Sequence, residues 1–137
     1  MTTCIFCKII NGDIPSYKIY EDEDTMAFLD ISQVSKGHAL VIPKQHSDDL
    51  LGTDPDVLQK TIATVQKVAR QIDDTLKPDG INILQNNRSF ADQSVFHLHF
   101  HIMPRYNNET DGFSYNWQTH DVAQDDMTAL LHTIKDA

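Results

Sequence analysis

The chain predicts an α+β fold, an antiparallel sheet of about five strands with one long helix and short terminal helices. Two observations predict it. Short period-two runs of apolar residues, separated by acidic or Gly-containing turns, read as hairpin-linked strands. A single uninterrupted run with helical periodicity falls between the third and fourth of them.

Cys4 to Ile10 reads as a short helical turn, apolar at Ile5, Phe6, Ile9 and Ile10 and ended by Asn11-Gly12. Tyr17 to Glu21 and Thr25 to Asp30 form a predicted hairpin around Asp22-Glu23-Asp24, and His38 to Pro43 a third strand. Asp54-Pro55 then opens a helix as N-cap and N1 proline. Its apolar positions Leu58, Ile62, Val65, Ala69, Ile72 and Leu76 form one stripe. At 1.5 Å per residue this helix is roughly 30 Å long. It stops at Lys77-Pro78-Asp79-Gly80. Ile81 to Gln85 and Ser94 to Met103 are the last predicted strands, and Ala123 to Lys135 a terminal helix with Met127, Leu130, Leu131 and Ile134 apolar. One sheet cannot cover so long an apolar stripe on so small a domain, which predicts a symmetric homodimer.

At 137 residues, 40% hydrophobic and 23% charged, the chain reads as one globular domain spanning 1–137. No apolar stretch approaches the length of a membrane span, and the N-terminus lacks a signal-peptide pattern, so no membrane is expected and the cytoplasm is the expected location. A net charge of -9 argues against nucleic-acid binding, which needs a basic face. It leaves room for a small phosphate ligand held by backbone N–H groups and histidines. Walker-type and GxGxxG glycine loops are absent.

The run from Val95 to Met103 carries His97, His99 and His101 in alternation with Phe96, Leu98, Phe100 and Ile102. On a strand the histidines share one face and the apolar residues fill the core on the other. Same-face neighbours lie about 6.5–7 Å apart, so the outer pair are separated by about 13 Å. That spacing suits a central nucleophile with a helper on each side better than one metal held by all three. A zinc-dependent hydrolase using the His97/His99 pair with a third ligand is a second reading of the same residues.

The row His97-Leu98-His99-Phe100-His101-Ile102, with Gln93-Ser94-Val95, Asn86, Val41 to His46, Phe28 to Ile31 and Ile5-Phe6, resembles the histidine-triad (HIT) family, in its bacterial Hint-like branch. The resemblance covers about residues 4–105, leaving 106–137 as a C-terminal extension. It implies the HIT-like fold and attack on the α-phosphorus of purine nucleoside 5′-phosphate derivatives, phosphoramidates or adenylylated compounds. His99 matches the family nucleophile, which forms a covalent nucleotidyl-histidine. His101 matches the donor to the non-bridging oxygens, Ser94 the leaving-group side, and His97 the first triad position. The nucleotide-binding positions correspond to Ile5, Phe6, Ile9, Phe28, Asp30, Ile31, Asn86, Gln93, Ser94 and Val95, together with His99 and His101. Asp30 is placed on the ribose hydroxyls, although on its own it reads equally as a turn residue. An AMP-like purine nucleotide is the implied ligand, and no organic cofactor is implied. Two other readings are a dinucleoside polyphosphate hydrolase and a non-catalytic nucleotide-sensing module. The chain departs from the animal pattern at Leu29 and at Arg88, Phe90 and Asp92, where bulk and charge bear on leaving-group preference.

Cys4-Ile5-Phe6-Cys7 is the only cysteine pair. Too little chain precedes it for a thioredoxin-like redox motif. Free thiols and half of a zinc site are the other readings. A distantly related uridylyltransferase family combines CxxC with two histidines, and that likeness implies a structural zinc on Cys4, Cys7, His46 and His97. His38, His120 and His132 read as surface or packing residues.

Overall fold

A computed structural model describes residues 3–107, 112–113 and 116–137. Residues 108–111 and 114–115 of the C-terminal extension lie outside the described part. The elements run α1 (Ile5–Ile10), β1 (Lys18–Glu21), β2 (Thr25–Leu29), β3 (Ala39–Pro43), α2 (Pro55–Leu76), β4 (Gly80–Leu84), a 3-10 turn (Ser89–Ala91), β5 (Phe100–Arg105) and α3 (Gln124–Lys135). One five-stranded sheet has the order β1-β2-β3-β5-β4, each pair antiparallel. The α+β architecture expected from the pattern is therefore present.

Strand alternation sorts the core into two layers. Ala27, Ala39, Val41, Phe100 and Ile102 meet Val65, Val68 and Ile72 of α2 on one face. Met26, Phe28, Leu40 and Ile42 pack with Phe6 of α1 on the other. Leu40 stands opposite His101 in the β3–β5 register, so His101 looks toward the α1 side. Cys4 caps α1, its sulfur accepting from the Cys7 N–H at 3.4 Å. Asp54 caps α2 through the Asp56 N–H at 2.8 Å, and Lys77 ends it in the left-handed region at φ 52° before Pro78.

Three expectations need correction. The last strand starts at Phe100, where the pattern predicted Ser94, and continues through Pro104 to Arg105. Upstream, the His97 carbonyl that a ladder would use accepts from the His99 ring, and the Leu98 N–H donates to the Ser47 carbonyl. Downstream, β3 reaches only Ile102, so Pro104 lies where no β3 strand needs its N–H. Phe96, expected in the core, is 48% exposed because it precedes the strand. On α2 the buried face turns to Thr61, Thr64, Val65, Val68 and Ile72 and leaves Ile62 at 44% exposure. Thr64 is drawn inward by a 2.7 Å hydrogen bond to Thr25 of β2.

Candidate active site and metal centre

The three histidines of the row look to the α1 side: Leu98, Phe100 and Ile102 enter the α2-side core, and the Phe6 ring meets both His97 and His99. His97 precedes the regular strand and is fully buried beside the cysteines. Its Nε2–H donates to the Pro43 carbonyl at 2.8 Å, which directs the Nδ1 lone pair to Cys4 Sγ at 3.4 Å and Cys7 Sγ at 3.6 Å. His46 is oriented in the same manner. Its Nε2 bonds Asp48 Oδ1 at 3.1 Å, and its Nδ1 faces Cys7 Sγ at 3.4 Å and His97 Nδ1 at 3.1 Å. Two nitrogen lone pairs thus point at each other between two sulfurs. A cation at the centre resolves that repulsion.

The spacing also suits it. Around a tetrahedral zinc, nitrogen pairs are held about 3.3 Å apart and sulfur–nitrogen pairs about 3.6 Å. The Pro43 carbonyl and the Asp48 carboxylate supply the outer contacts that usually fix ligating imidazoles. Burial, foremost, pushes His97 down to about 4, so its imidazole is neutral near pH 7 as a metal ligand must be.

His99 is buried too, with its Nδ1–H donating to the His97 carbonyl at 2.7 Å. The lone pair is thereby set on Nε2. The edge of Phe6 packs on the ring at 5.1 Å between centroids. Burial lowers the pKa against the opposing pull of that carbonyl, and the neutral imidazole is favoured.

His101 lies beside it, ring centroids 5.1 Å apart. Its partner is a residue the sequence reading left as packing. His38, 2% exposed, places Nε2 at 2.9 Å from His101 Nδ1. The Val34 N–H donates to His38 Nδ1 at 3.3 Å, so the His38 proton sits on Nε2 and is donated to His101. The His101 proton is then on Nε2, away from His38. Burial pushes His101 down to about 4, with His99 and His38 adding to it, and burial also lowers His38 against the pull of Asp30. Asp30 and His38 approach at 3.7 Å and His38 and His101 at 2.9 Å, so these three side chains form one polar cluster beside His99. Only strand parity could have signalled His38, since His38, Leu40 and Ile42 alternate onto the α1 side of β3.

The remaining predicted residues surround this pair unequally. Phe6 and Phe28 are buried and meet edge to face at 5.7 Å, whereas Ile5 and Ile31 are 46% and 85% exposed. Asp30 fills the turn role, its Oδ1 accepting from the Ser32 N–H at 2.8 Å, while Oδ2 lies 3.7 Å from His38 Nε2. The buried Gln93 side chain accepts from the Arg88 N–H at 2.7 Å and donates to the carbonyls of Asp48 at 2.6 Å and Val95 at 3.1 Å. It is committed to holding backbone. Asn86 donates to the Asp92 carbonyl at 3.4 Å. Ser94 and Val95 line an open groove of about 460 Å³ with Cys4, Ile5, His46 and Phe96.

Comparison with known proteins places this geometry. A family model described as "HIT domain" matches residues 11–108. "Protein hit" of Bacillus subtilis (strain 168) is 50% identical over 96% of this chain and 91% of its own length. "Adenosine 5'-monophosphoramidase hnt1" of Schizosaccharomyces pombe is 39% identical over 93% of this chain and 92% of its own. A crystal structure of a HIT-family member from Bacillus subtilis superposes with a TM-score of 0.94 at 49% identity, covering 98% of this chain and 96% of that one. A zinc-bound histidine triad family protein from Mycobacterium smegmatis gives a TM-score of 0.76 at 37% identity over 98% of this chain and 96% of its own. The chain belongs to the HIT-domain family.

Proposed function

We propose that this chain is a nucleotidyl hydrolase that attacks the α-phosphorus of purine nucleoside 5′-phosphoramidates through His99. The observation that carries the reading is the 2.7 Å bond from His99 Nδ1–H to the His97 carbonyl. It presets the tautomer whose Nε2 is nucleophilic, without a separate base. The phosphoramidase named among the relatives supports the substrate class.

In this reading Nε2 of His99 forms a bond to phosphorus while the phosphorus–nitrogen bond breaks. The leaving amine takes a proton that the Ser94 hydroxyl passes on from water, so Ser94 stays neutral, and the proton released when water later cleaves the intermediate closes the balance. The Nε2–H of His101, set by His38, donates to the non-bridging oxygens as charge develops. Water then cleaves the nucleotidyl-histidine, returning neutral His99 and a nucleoside monophosphate. Phe6 and Phe28 supply the apolar wall for the base, and Asp30 accepts from the ribose. Gln93 acts as a positioning residue that ties the Arg88 loop to Asp48.

Cys4, Cys7, His46 and His97 are assigned to a structural zinc, since four protein ligands leave no position for water or substrate. When bound, the ion ties α1 to the chain segment bearing His99. The alternative of a zinc-dependent hydrolase using His97 and His99 loses support, because both His97 nitrogens are committed elsewhere.

Two copies are assigned to the working molecule, in the cytoplasm, where the thiols stay reduced. Lys60, Thr64 and Lys67 of α2 face the β1–β2 hairpin, through Asp24 of its turn, Thr25 and Tyr20. Leu58, Ile62 and Ala69 therefore lie on the opposite flank of the helix, toward β4. Ile83 of β4, paired with Ile102 and so on the α2 side of the sheet, is 45% exposed. An apolar strip of this kind at a sheet edge is suited to a two-fold contact.

Brief mixing with adenosine 5′-phosphoramidate, followed by intact-mass and peptide mapping, tests the reaction. The expected result is an adenylyl adduct on His99 that is lost in His99→Ala together with turnover. Full turnover by His99→Ala would end the covalent reading; AMP binding without turnover of the phosphoramidate or of a dinucleoside polyphosphate would favour a sensing module.

A further inference from the structure

We propose that the Cys4–Cys7 pair is an oxidation site for small hydroperoxides, where disulfide formation expels the zinc and loosens the nucleotide pocket. The proposal rests on the metal reading above and goes beyond it.

The two cysteines stand three positions apart at the start of α1, and Cys4 Sγ accepts from the Cys7 N–H at 3.4 Å. Side chains at this spacing share one face of a helical turn, and the two sulfurs lie within 4.8 Å of each other. Cys4 is the cap, with extended backbone at ψ 118°, so closing a bridge concerns the first turn alone. The centre is also open on one side. His97 is fully buried, yet both cysteines are half-buried and the His46 side chain is 42% exposed. Cys4 and His46 line the open groove of about 460 Å³ together with Ile5 and Ser94. Cys4 therefore faces a route from solvent wide enough for a small hydroperoxide.

A zinc centre keeps both sulfurs as thiolates, the nucleophilic form. The Cys4 thiolate attacks an oxygen of the hydroperoxide; a sulfur–oxygen bond forms, the oxygen–oxygen bond breaks, and the departing oxyanion takes a proton from solvent. The Cys7 thiolate then attacks the Cys4 sulfur, and the hydroxide that leaves takes a second proton. The sulfurs together lose two electrons and the hydroperoxide gains them. The donor set shrinks to His46 and His97, two imidazoles where a closed zinc site needs four ligands.

The loss reaches the pocket by two short routes. Phe6, between the cysteines, packs on His97, His99 and Phe28. His97 serves the metal centre by its ring and holds the His99 Nδ1–H by its carbonyl.

The test titrates the full zinc-loaded, reduced chain with hydrogen peroxide. A chromogenic chelator follows released zinc, intact mass and peptide mapping follow the thiols, and calorimetry gives AMP affinity. Cys4 and Cys7 are the only cysteines, and methionine oxidation is told apart because it adds oxygen. About one zinc per chain should be released in step with a mass loss of two hydrogens. AMP affinity should weaken at least about fivefold, the low end of coupling between linked sites. A phosphine reductant with added zinc should restore both, and Cys4→Ser/Cys7→Ser should show no peroxide-dependent change in affinity.

A reduced chain that takes up no zinc would overturn the metal reading and this proposal together. A zinc-loaded chain that keeps its ion and both thiols, under peroxide that oxidises the exposed Met127, would overturn the proposal alone. Zinc loss with sulfinic acid in place of a disulfide would reject Cys7 as the resolving partner. A disulfide with unchanged AMP affinity, or an equal loss of affinity in the double variant, would reject the link to the pocket. Absence of AMP binding by the reduced chain would end the nucleotide reading and that link with it, while zinc release and mass still decide the oxidation site.

Discussion

His38 Nε2–H donates to His101 Nδ1 across 2.9 Å, joining the residue just before β3 to the second residue of β5. The bond decides which nitrogen of His101 carries the proton that faces the site. His38→Ala should therefore lower kcat by about ten- to a hundredfold with little change in KM, as loss of an orienting outer contact does. Nitrogen chemical shifts of His101 should show mixed tautomers in the variant. An unchanged kcat with an unchanged tautomer would remove His38 from the mechanism.

The pH dependence follows from the same burial. His101 is held down to about 4, so its imidazole is neutral near pH 6 in the folded chain, and burial also lowers His38 from its ordinary 6.5. The acid limb of kcat/KM should thus lie well below the 6.5 of an ordinary imidazole. Stability follows with a definite sign. Below 6.5 the unfolded chain binds protons that the folded chain refuses, so stability is fully present above that value and falls as pH drops toward 4. Urea unfolding from about pH 7.5 to about pH 4.5 checks it, with His101→Gln expected to show a shallower decline.

Asp30 serves both the Ser32 turn and the assigned ribose contact, so alanine would confuse the two. Asp30→Asn retains an acceptor for the Ser32 N–H and weakens acceptance from the ribose. It should raise KM about tenfold while leaving kcat nearly unchanged, since a contact remote from phosphorus is similar in ground and transition states. Wild type should distinguish ribo- from 2′-deoxynucleotides, and the variant should do so less. Equal handling of both sugars by wild type would place Asp30 in the turn alone.

The metal assignment predicts about one zinc per chain on purification. Cys7→Ser should lose the ion and unfold at lower temperature, because a site absent from the unfolded chain contributes its binding energy to folding. Nucleotide affinity should weaken too. Phe6 rides on the helix capped by Cys4 and touches His97, His99 and Phe28, so loosening α1 disturbs the pocket wall. Metal-free protein of unchanged stability would return both cysteines to ordinary thiols.

Local rules in the sequence determined the elements. Asp54-Pro55 started α2, Lys77-Pro78 ended it, and the short apolar runs Thr25–Leu29 and Ala39–Pro43 made strands buried on both faces, because capping, proline geometry and strand propensity act over a few residues. The candidate site was legible as residue types for the same reason: three histidines and a CxxC pair advertise their chemistry wherever they sit. Which atoms meet was decided by the tertiary structure. The irregular backbone before Phe100 lets the His97 carbonyl hold the His99 ring, while His97 itself reaches Cys4 and Cys7, about 90 positions earlier in the chain. The β3–β5 register brought His38 to His101 over 63 positions of sequence, a pairing that no local period encodes. Ile62 followed the helical stripe yet stayed exposed, because a stripe states what can be buried and only the neighbouring surface decides what is.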